Sequence, residues 1–241
     1  SGGGSNVASE AYSAIVGGNN NQSFGYASSI VGGESNTSSS AYSFVGGGAN
    51  NQSTNDYATV AGGNSNQASG YSSSVVGGES NIASGTYSSV NSGFMNNALA
   101  EYSTISGGFD NIASGGVSTI SGGARNVASE SYSTVSGGDS NEASGYSSTV
   151  SGGNYNIASG HSSSVSGGEL NTAAGDYSFA TGRRAKIDAD HDGSFLFADH
   201  TDADFNSAAA DEFAVRASGG VRFTNAIGDK WFNMTNGGYL G

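Results

Sequence analysis

A short acidic segment late in the chain carries the side chains best suited to binding chemistry. Asp188, Asp190 and Asp192 stand at alternate positions before a glycine, and Asp199 follows six residues after that glycine. This spacing fits a calcium loop, in which carboxylate oxygens on a tight turn surround a hard cation. Residues 194–198 predict a strand, however, and no helix is predicted on either side. We therefore expect an acidic turn that leads into a strand, with a calcium ion held by the four Asp side chains as the alternative and no other cofactor.

Residue types that serve in catalysis are present, but their spacing does not single out an active site. His191 and His200 lie near several Asp residues, and serine is abundant throughout the chain. A Ser–His–Asp arrangement is recognised by geometry, so the abundance of these residues is uninformative. The glycine-rich turns lack the Gly-Lys-Ser/Thr sequence of a phosphate loop. His161 stands in a variable outward position of the repeat described below and is interpreted as a surface substitution. We predict that the protein is not an enzyme.

Charge and composition exclude several classes of partner. The chain has 20 acidic and 7 basic residues, no cysteine and no proline. Residues 1–182 contain eleven acidic side chains and a single basic one, Arg125, whereas nucleic acids and anionic lipids are bound by basic surfaces. No apolar run reaches the roughly 18 residues of a membrane-spanning segment. We expect no nucleic-acid binding and no direct membrane insertion. The start in mid-repeat at Ser1 predicts a piece of a longer protein.

A fifteen-residue repeat positions all of these groups. Steps of fifteen from Asn156 meet asparagine every time, without an insertion or a deletion. This regularity distinguishes a repeat architecture from a flexible Gly/Ser-rich segment. The twelve members of this Asn column are Asn6, Asn21, Asn36, Asn51, Asn66, Asn81, Asn96, Asn111, Asn126, Asn141, Asn156 and Asn171.

The other columns of the repeat predict its local structure. A β-branched residue recurs from Ile15 to Val165, and a residue no larger than serine stands two positions before each of them. Side chains two apart share one face of a strand, so these columns predict a short strand with a buried face. A glycine turn and the Asn column follow, and two residues beyond each Asn stands a small residue, Ala or Ser in nearly every copy. Each coil therefore has two short strands and two turns, and we expect the Asn side chains to form a polar ladder inside it.

Such coils predict an all-β fold, a parallel β-solenoid of about twelve coils over residues 1–182 and roughly 55–60 Å long. The period breaks at Gly182, where Arg183, Arg184 and Lys186 follow and Lys186 takes the next Asn position. This cluster and the strands that residues 213–223 predict around a glycine turn indicate a small β-rich neck or cap over residues 183–241.

The interior of each coil holds little apolar area, which predicts association with other copies of the chain. One candidate contact surface is the column with Val7, Ile82, Ile112, Val127 and Ile157, which is called the aliphatic column below. The other is an outward tyrosine column, which either packs between copies or contacts a ligand such as a glycan. Its seven members are Tyr12, Tyr42, Tyr57, Tyr87, Tyr102, Tyr132 and Tyr177, and in three other copies the tyrosine moves one place earlier, to Tyr26, Tyr71 and Tyr146.

The repeat resembles the head repeat of trimeric autotransporter adhesins, as residues 132–145 (YSTVSGGDSNEASG) illustrate. The shared features are the β-branched position, the glycine, the Asn or Ser, the Ala and the final glycine at fixed offsets. The resemblance covers residues 1–182, although the repeat here has fifteen residues where the family usually has fourteen. It implies a left-handed parallel β-roll, three chains around one axis and a location outside the cell, on a cell or virion surface.

The resemblance leaves two non-enzymatic functions open. The first is a structural fibre or adhesin head on a bacterial surface, which mediates attachment to a glycan, a matrix protein or a receptor, or acts as a rigid spacer. The alternative is a segment of a phage tail fibre that recognises a host receptor. An ice-binding face would need a regular threonine column, and Phe44 and Phe179 interrupt the column that holds Thr104.

Overall fold

The chain winds into a solenoid with two long parallel sheets. The computed structural model describes residues 3–224 and 230–234, and within them it contains strands and turns but no helix. Most coils contribute one two-residue strand to each sheet, and successive coils pair in parallel. No helix in the described part of the chain has the length and apolar character needed to cross a membrane.

The first sheet collects the odd-numbered strands in chain order. They are β1 (Val7–Ala8), β3 (Gln22–Ser23), β5 (Thr37–Ser38), β7 (Gln52–Ser53), β9 (Gln67–Ala68), β11 (Ile82–Ala83), β13 (Asn97–Ala98), β15 (Ile112–Ala113), β17 (Val127–Ala128), β19 (Glu142–Ala143), β21 (Ile157–Ala158), β23 (Thr172–Ala173), β25 (Ala185–Ile187) and β27 (Phe205–Asn206).

The second sheet collects the even-numbered strands, and a separate antiparallel pair follows it. The second-sheet strands are β2 (Ala14–Ile15), β4 (Ser29–Ile30), β6 (Phe44–Val45), β8 (Thr59–Val60), β10 (Ser74–Val75), β12 (Ser89–Val90), β14 (Thr104–Ile105), β16 (Thr119–Ile120), β18 (Thr134–Val135), β20 (Thr149–Val150), β22 (Ser164–Glu169), β24 (Phe179–Arg183), β26 (Phe195–Ala198) and β28 (Phe213–Arg216). The antiparallel pair is β29 (Val221–Thr224) and β30 (Lys230–Met234).

The interior is built from the columns that the repeat predicts. The β-branched residues from Ile30 to Val165 are fully buried, and so are the Ala or Ser residues that lie opposite them on the first sheet. Pairing joins identical positions of neighbouring coils, for example Val75 with Val90. The backbone N–H of Val76 donates to the carbonyl of Val90 at 3.0 Å, and this bond recurs from coil to coil. Backbone polar groups are thereby satisfied along the solenoid axis.

The glycine three residues before each Asn permits a turn that other residues rarely form. Gly33 has a φ of 92°, and a Cβ at this position would clash with the carbonyl oxygen of Gly48 in the next coil. L-residues rarely adopt this conformation, and here the close approach of the next backbone excludes a side chain as well. The glycine column therefore sets the corner at which the coils stack.

The solenoid has about fourteen coils, so the predicted number of twelve was too low. Pairing continues beyond Gly182, because β24 pairs with β26 and β26 with β28 in the same sheet. The arginine-rich segment is therefore part of a coil. The boundary predicted at residue 182, the left-handed winding and the three-chain assembly stay predictions.

The prediction that Lys186 replaces asparagine was wrong by one residue. Ala173 pairs with Ile187, fourteen residues later, because the register shifts after Val165. Ala185 therefore occupies the Asn position and is fully buried. A small apolar side chain fits this narrow interior, whereas a lysine ammonium group would be desolvated there.

The last coils are longer and irregular. Ala180 pairs with Leu196, and Leu196 with Ala214, so the steps exceed fifteen residues. Ile187 and Leu196 are buried in these coils, and Ile187 pairs with Ala173 in a column where the regular coils have Ala or Ser. The two strands predicted within residues 213–223 are present as β28 and the start of β29, but they belong to different sheets.

Candidate functional site

The Asn column forms a continuous chain of hydrogen bonds inside the solenoid. Asn21 and every later member are at most 1% exposed. The Oδ1 atom of Asn21 accepts the backbone N–H of Asn36 at 3.0 Å. The Nδ2 atom of Asn36 donates to the carbonyl of Gly32 in its own coil at 3.0 Å and to that of Gly48 in the next coil at 2.9 Å. One amide thus satisfies buried groups of adjacent coils, which gives the column a structural role.

The ladder ends at Asn171 without an unsatisfied acceptor. The backbone N–H of Ala185 donates to Asn171 Oδ1 at 2.9 Å, and Asn171 Nδ2 donates to the carbonyl of Gly182 at 2.7 Å. Backbone groups of the first irregular coil are therefore the hydrogen-bond partners of the last Asn in the ladder. Lys186 lies on the other side of the strand, where its ammonium group donates to the carbonyl of Leu170 and to Thr172. Burial lowers the pKa of Lys186.

The tyrosines form an aromatic row along one edge of the solenoid. Ring centroids of neighbouring coils are 5.1–5.7 Å apart, and the rings meet in stacked and edge-to-face arrangements. The tyrosines of the row remain 39–79% exposed. The row consists of Tyr12, Tyr26, Tyr42, Tyr57, Tyr71, Tyr87 and Tyr102, and then of Tyr132, Tyr146, His161 and Tyr177.

The rings of this row come from two adjacent positions of the repeat. Tyr42 and Tyr57 occupy the position with positive φ, whereas Ala27 and Ser72 occupy it in the coils where Tyr26 and Tyr71 stand one residue earlier. The chain thus places one aromatic ring per coil from either position. Desolvation, followed by the neighbouring tyrosines, raises the pKa of Tyr71.

His161 belongs to the aromatic row and is not an isolated surface substitution. Its ring lies 5.2 Å from that of Tyr146 and 5.3 Å from that of Tyr177. Ser162 occupies the adjacent position, as Ser72 does beside Tyr71. The row is interrupted once, at the coil of Val117, which holds a φ of 58° in the position that tyrosine takes elsewhere. A β-branched residue is unfavourable in this conformation.

The structure does not gather the four Asp residues of the calcium pattern. Within residues 3–224 and 230–234, no group of three or more His, Asp or Glu side chains is placed to hold a metal ion. Asp192 Oδ1 accepts the backbone N–H of Asp176 at 2.8 Å, while Asp199 bonds to a different loop. Asp188 and Asp190 are exposed. This arrangement gives calcium binding no support, and the calcium site stays a prediction.

One Ser–His pair does form. His191 Nδ1 lies 2.6 Å from Ser207 Oγ, and the same hydroxyl accepts the backbone N–H of Asp188 at 3.1 Å. The serine hydroxyl therefore connects two loops of the last coils. His200 is exposed and lies in another loop. The contacts of Ser207 account for the pair as a structural link.

The predicted basic cluster is neutralised by the loop of residues 199–204. Arg184 contacts Asp202 at 3.0 Å and Asp204 at 2.9 Å, and Arg183 contacts Asp202 at 3.1 Å and Glu169 at 3.1 Å. The hydrogen bond and charge of Asp204 raise the pKa of Arg184, and the same bond lowers the pKa of Asp204. These contacts occupy the guanidinium groups of Arg183 and Arg184, two of the three basic side chains of the cluster.

Arg216 holds the same loop from the last strand of the second sheet. Its guanidinium group donates to Asp199 Oδ1 at 3.1 Å and to the carbonyls of Ala203 at 2.7 Å, Thr201 at 3.1 Å and Arg183 at 3.1 Å. Asp199 also accepts the backbone N–H of Ser218 at 2.7 Å. Hydrogen bonds from Ser218 and Thr201 lower the pKa of Asp199 well below its ordinary value.

A cleft of about 600 Å³ opens beside this loop. Its walls include Asn154, Glu169, Arg183, Phe197 and His200, and two glycines lie among the other lining residues. The cleft lies where the register shifts and where the pairing of β22 with β24 continues past Val165 to Gly168 and Glu169. Sequence reasoning missed it, because Phe197 and His200 come from an irregular coil whose residues follow no repeat column.

The comparisons with known proteins concern the regular coils. Residues 58–70, 103–115 and 133–145 match the family model described as the Ubiquitous surface protein adhesin repeat. The chain carries adhesin-type repeats. Each matched segment starts at the small residue before the buried β-branched position and continues through the glycine turn and the Asn to the second turn. The resemblance to adhesin head repeats is therefore confirmed. No curated protein matches the chain.

Proposed function

We propose that this chain is the rigid head of an adhesin on a bacterial surface, where it mediates attachment. The observation that carries the proposal is the match of three coils to an adhesin repeat within an uninterrupted stack of about fourteen coils. The adhesin-type coils and the solenoid favour a binding or structural role over catalysis. No observation favours the tail-fibre alternative over the adhesin head.

Three copies of the chain assemble around one axis in this proposal. The interior of each regular coil is narrow, so additional apolar burial between copies would stabilise the stack. The aliphatic column supplies a suitable surface, because Ile82, Ile112 and Val127 lie on the outer face of the first sheet and remain partly exposed. Rings of the aromatic row already pack within one chain. We therefore assign the chain-to-chain contact to the aliphatic column and leave the aromatic row for recognition.

Native mass spectrometry and small-angle scattering test the assembly. We expect a trimer with the dimensions of a rod, and a monomeric wild-type chain would contradict the proposed assembly. The variant Ile112→Asp should dissociate the trimer, because it places a charge within the aliphatic column. Ser121→Asp is the matched control, since Ser121 is exposed on the outer face of the second sheet. Equal dissociation of both variants would contradict the assignment of the contact face.

Attachment is tested separately from assembly. Beads coated with the chain should adhere to host epithelial cells or to extracellular matrix, and uncoated beads should not. A rod-shaped trimer that adheres to none of these surfaces would make the chain a spacer and would overturn the attachment role.

A further inference from the structure

The cleft beside the loop of residues 199–204 has the chemistry of a ligand site. Ligand pockets typically combine apolar or aromatic surface with a few converging polar groups. Here Phe197 is 38% exposed and lines the cleft together with the polar side chains of Asn154, Glu169, Arg183 and His200. In the regular coils Ser166, Ser151 and their equivalents stand at the outward position that Phe197 occupies here. The aromatic wall is therefore specific to this part of the solenoid.

Gly168 and Gly182 line the cleft and pair with one another at the shifted register. A Cβ on Gly182 would clash with the carbonyl of Ala198, and its φ of 97° also disfavours a side chain. The backbone of the next coil fills this space, as it does beside Gly33 in a regular coil. The contacts available to a ligand are therefore those of the Phe197 ring and of the polar side chains around it.

The polar wall is held in place before a ligand binds. Arg183 Nε donates to Glu169 Oε2 at 3.1 Å, and Arg183 Nη1 donates to the carbonyl of His200 at 3.3 Å. Arg216 donates hydrogen bonds to the backbone carbonyls of Thr201 and Ala203, and these bonds fix the loop that carries His200. A site whose groups are already ordered loses less entropy on binding.

The charges around the cleft select a class of ligand. Arg183 is the basic side chain of the lining, and it is paired with Glu169 and Asp202, while the carboxylate of Asp199 is paired with Arg216. An anionic ligand would have to compete with these carboxylates for the guanidinium groups, whereas a neutral ligand rich in hydroxyl groups would not. Carboxylate oxygens accept hydrogen bonds from hydroxyl groups, and the Asn154 amide both donates and accepts.

We propose that this cleft binds a neutral sugar unit of a glycan, with one face of the sugar ring against Phe197 and its hydroxyl groups bonded to Asn154 and Glu169. The proposal rests on the attachment function proposed above and names the class of molecule that is recognised. The aromatic ring supplies apolar contact, and the paired Glu169 supplies an acceptor of fixed orientation.

A glycan array and a titration test the site with the whole chain. We expect the wild-type protein to bind neutral oligosaccharides and to bind their sialylated counterparts more weakly. Phe197→Ala and Asn154→Ala should each weaken binding of the best neutral oligosaccharide by about tenfold, since each removes one direct contact. Asn64→Ala is the matched control, because Asn64 occupies the same repeat position in a regular coil outside the cleft. It should bind like the wild type.

The outcomes separate failure of the site from failure of attachment. If the wild type adheres to cells but binds no neutral oligosaccharide, the cleft assignment is overturned and the attachment function stands. If it binds neither cells nor oligosaccharides, both proposals fall. Stronger binding of sialylated probes, or equal loss in Asn64→Ala, would also overturn the assignment. Should Phe197→Ala unfold the last coils, the exposed Asn154 still decides the matter, because its truncation leaves the strands intact.

Discussion

The regular coils that end at Asn171 and the coils that follow it are held to their neighbours by different groups. In the regular coils, neutral side-chain amides inside the solenoid repeat one set of bonds at every level. In the last coils, Arg184, Arg216 and their carboxylate partners connect the levels from the outside. Ile187 adds apolar volume to the interior there, at a position where the regular coils have Ala or Ser. Neighbouring coils are thus joined by one repeated set of amide bonds in the regular region and by individual ion pairs in the last coils.

The difference follows from coil length. A short amide reaches the next level only if each coil places it at the same corner, so the ladder depends on the constant fifteen-residue step. After Asn171 the steps vary, and the fixed corner is lost. The long guanidinium groups of Arg184 and Arg216 can reach loops of different lengths and present several donors. An irregular coil is therefore stabilised by longer, charged side chains.

The substitution Asn111→Leu should have the largest effect, because it removes a central member of the ladder. Asn111 donates to Asn96 Oδ1 and to the carbonyl of Gly123, and it accepts the backbone N–H of Asn126 at 2.9 Å. Its loss leaves buried groups unsatisfied, so the free energy of unfolding should fall by roughly 3–5 kcal/mol. Urea denaturation followed by circular dichroism measures this change. Asn97→Ala, on the outer side of the adjacent strand, is the control and should cost much less.

Acid should loosen the last coils before the regular ones. The folded-state pKa values of Asp199 and Asp204 are lowered by hydrogen bonds. Their ionised forms stabilise the folded state above the ordinary Asp pKa of about 3.9, and this contribution is lost as the pH falls below it. Limited proteolysis with pepsin between pH 4 and pH 2 should therefore cut near Phe195 and Phe213 first. Equal cleavage throughout the regular coils at the same pH would contradict the comparison.

A tyrosine in the one coil of the aromatic row that lacks a ring should stabilise the regular coils and leave the last coils unchanged. Val117→Tyr places a ring between those of Tyr102 and Tyr132 and removes a β-branched residue from a positive-φ position. We expect a gain of about 1 kcal/mol in the free energy of unfolding, measured by chemical denaturation. Thr86→Tyr adds a tyrosine at the neighbouring position of a coil that already has Tyr87, and it should give no such gain. A destabilised Val117→Tyr variant would show that ring contacts do not support the stack.

Removing the ion pair of the regular coils should have the smallest effect. Arg125 and Asp139 approach to 2.6 Å, but both side chains are substantially exposed. Exposed pairs contribute about 0–1 kcal/mol, so Arg125→Ala should leave the urea midpoint nearly unchanged. Arg216→Gln is the corresponding change in the last coils, and it should raise hydrogen exchange in the loop of residues 199–204. If hydrogen exchange rose more around Arg125 in Arg125→Ala than in the loop of Arg216→Gln, ion pairs would matter more in the regular coils, which would contradict the comparison.

The periodic part of the molecule was predictable because each column repeats one physical requirement many times. Small residues two positions before each β-branched residue indicate the narrow interior, and the Asn column indicates the ladder. The position of Ala185 could also have been found, since a buried corner requires a small neutral residue and Lys186 is neither. His161 could also have been assigned to the aromatic row, because the small Ser162 follows it just as Ser72 follows Tyr71.

The candidate cleft and the ion pairs had no comparable signal. Arg216 reaches Asp199 and three carbonyl groups because a loop of irregular length folds back over the coil. Each of these contacts occurs once, so no column reveals it. The calcium pattern shows that spacing along the sequence can also suggest a grouping of side chains that the structure does not contain. Spacing along the sequence suggested one loop, whereas the structure directs Asp192 and Asp199 to different neighbours.

The backbone bonds between coils have a mechanical consequence. Bonds such as that from Val76 to Val90 run along the solenoid axis, so a force applied through the end of the chain breaks the bonds of the outermost coil first, because that coil is bonded to a neighbour on one side only. A folded coil adds about 4.8 Å to the rod, whereas its fifteen residues stretch to roughly 50 Å. Tension would therefore peel the rod one coil at a time, and each rupture would release about 45 Å of slack and lower the load before the next coil yields. A rod built in this way would take up tension as a series of small extensions instead of a single break.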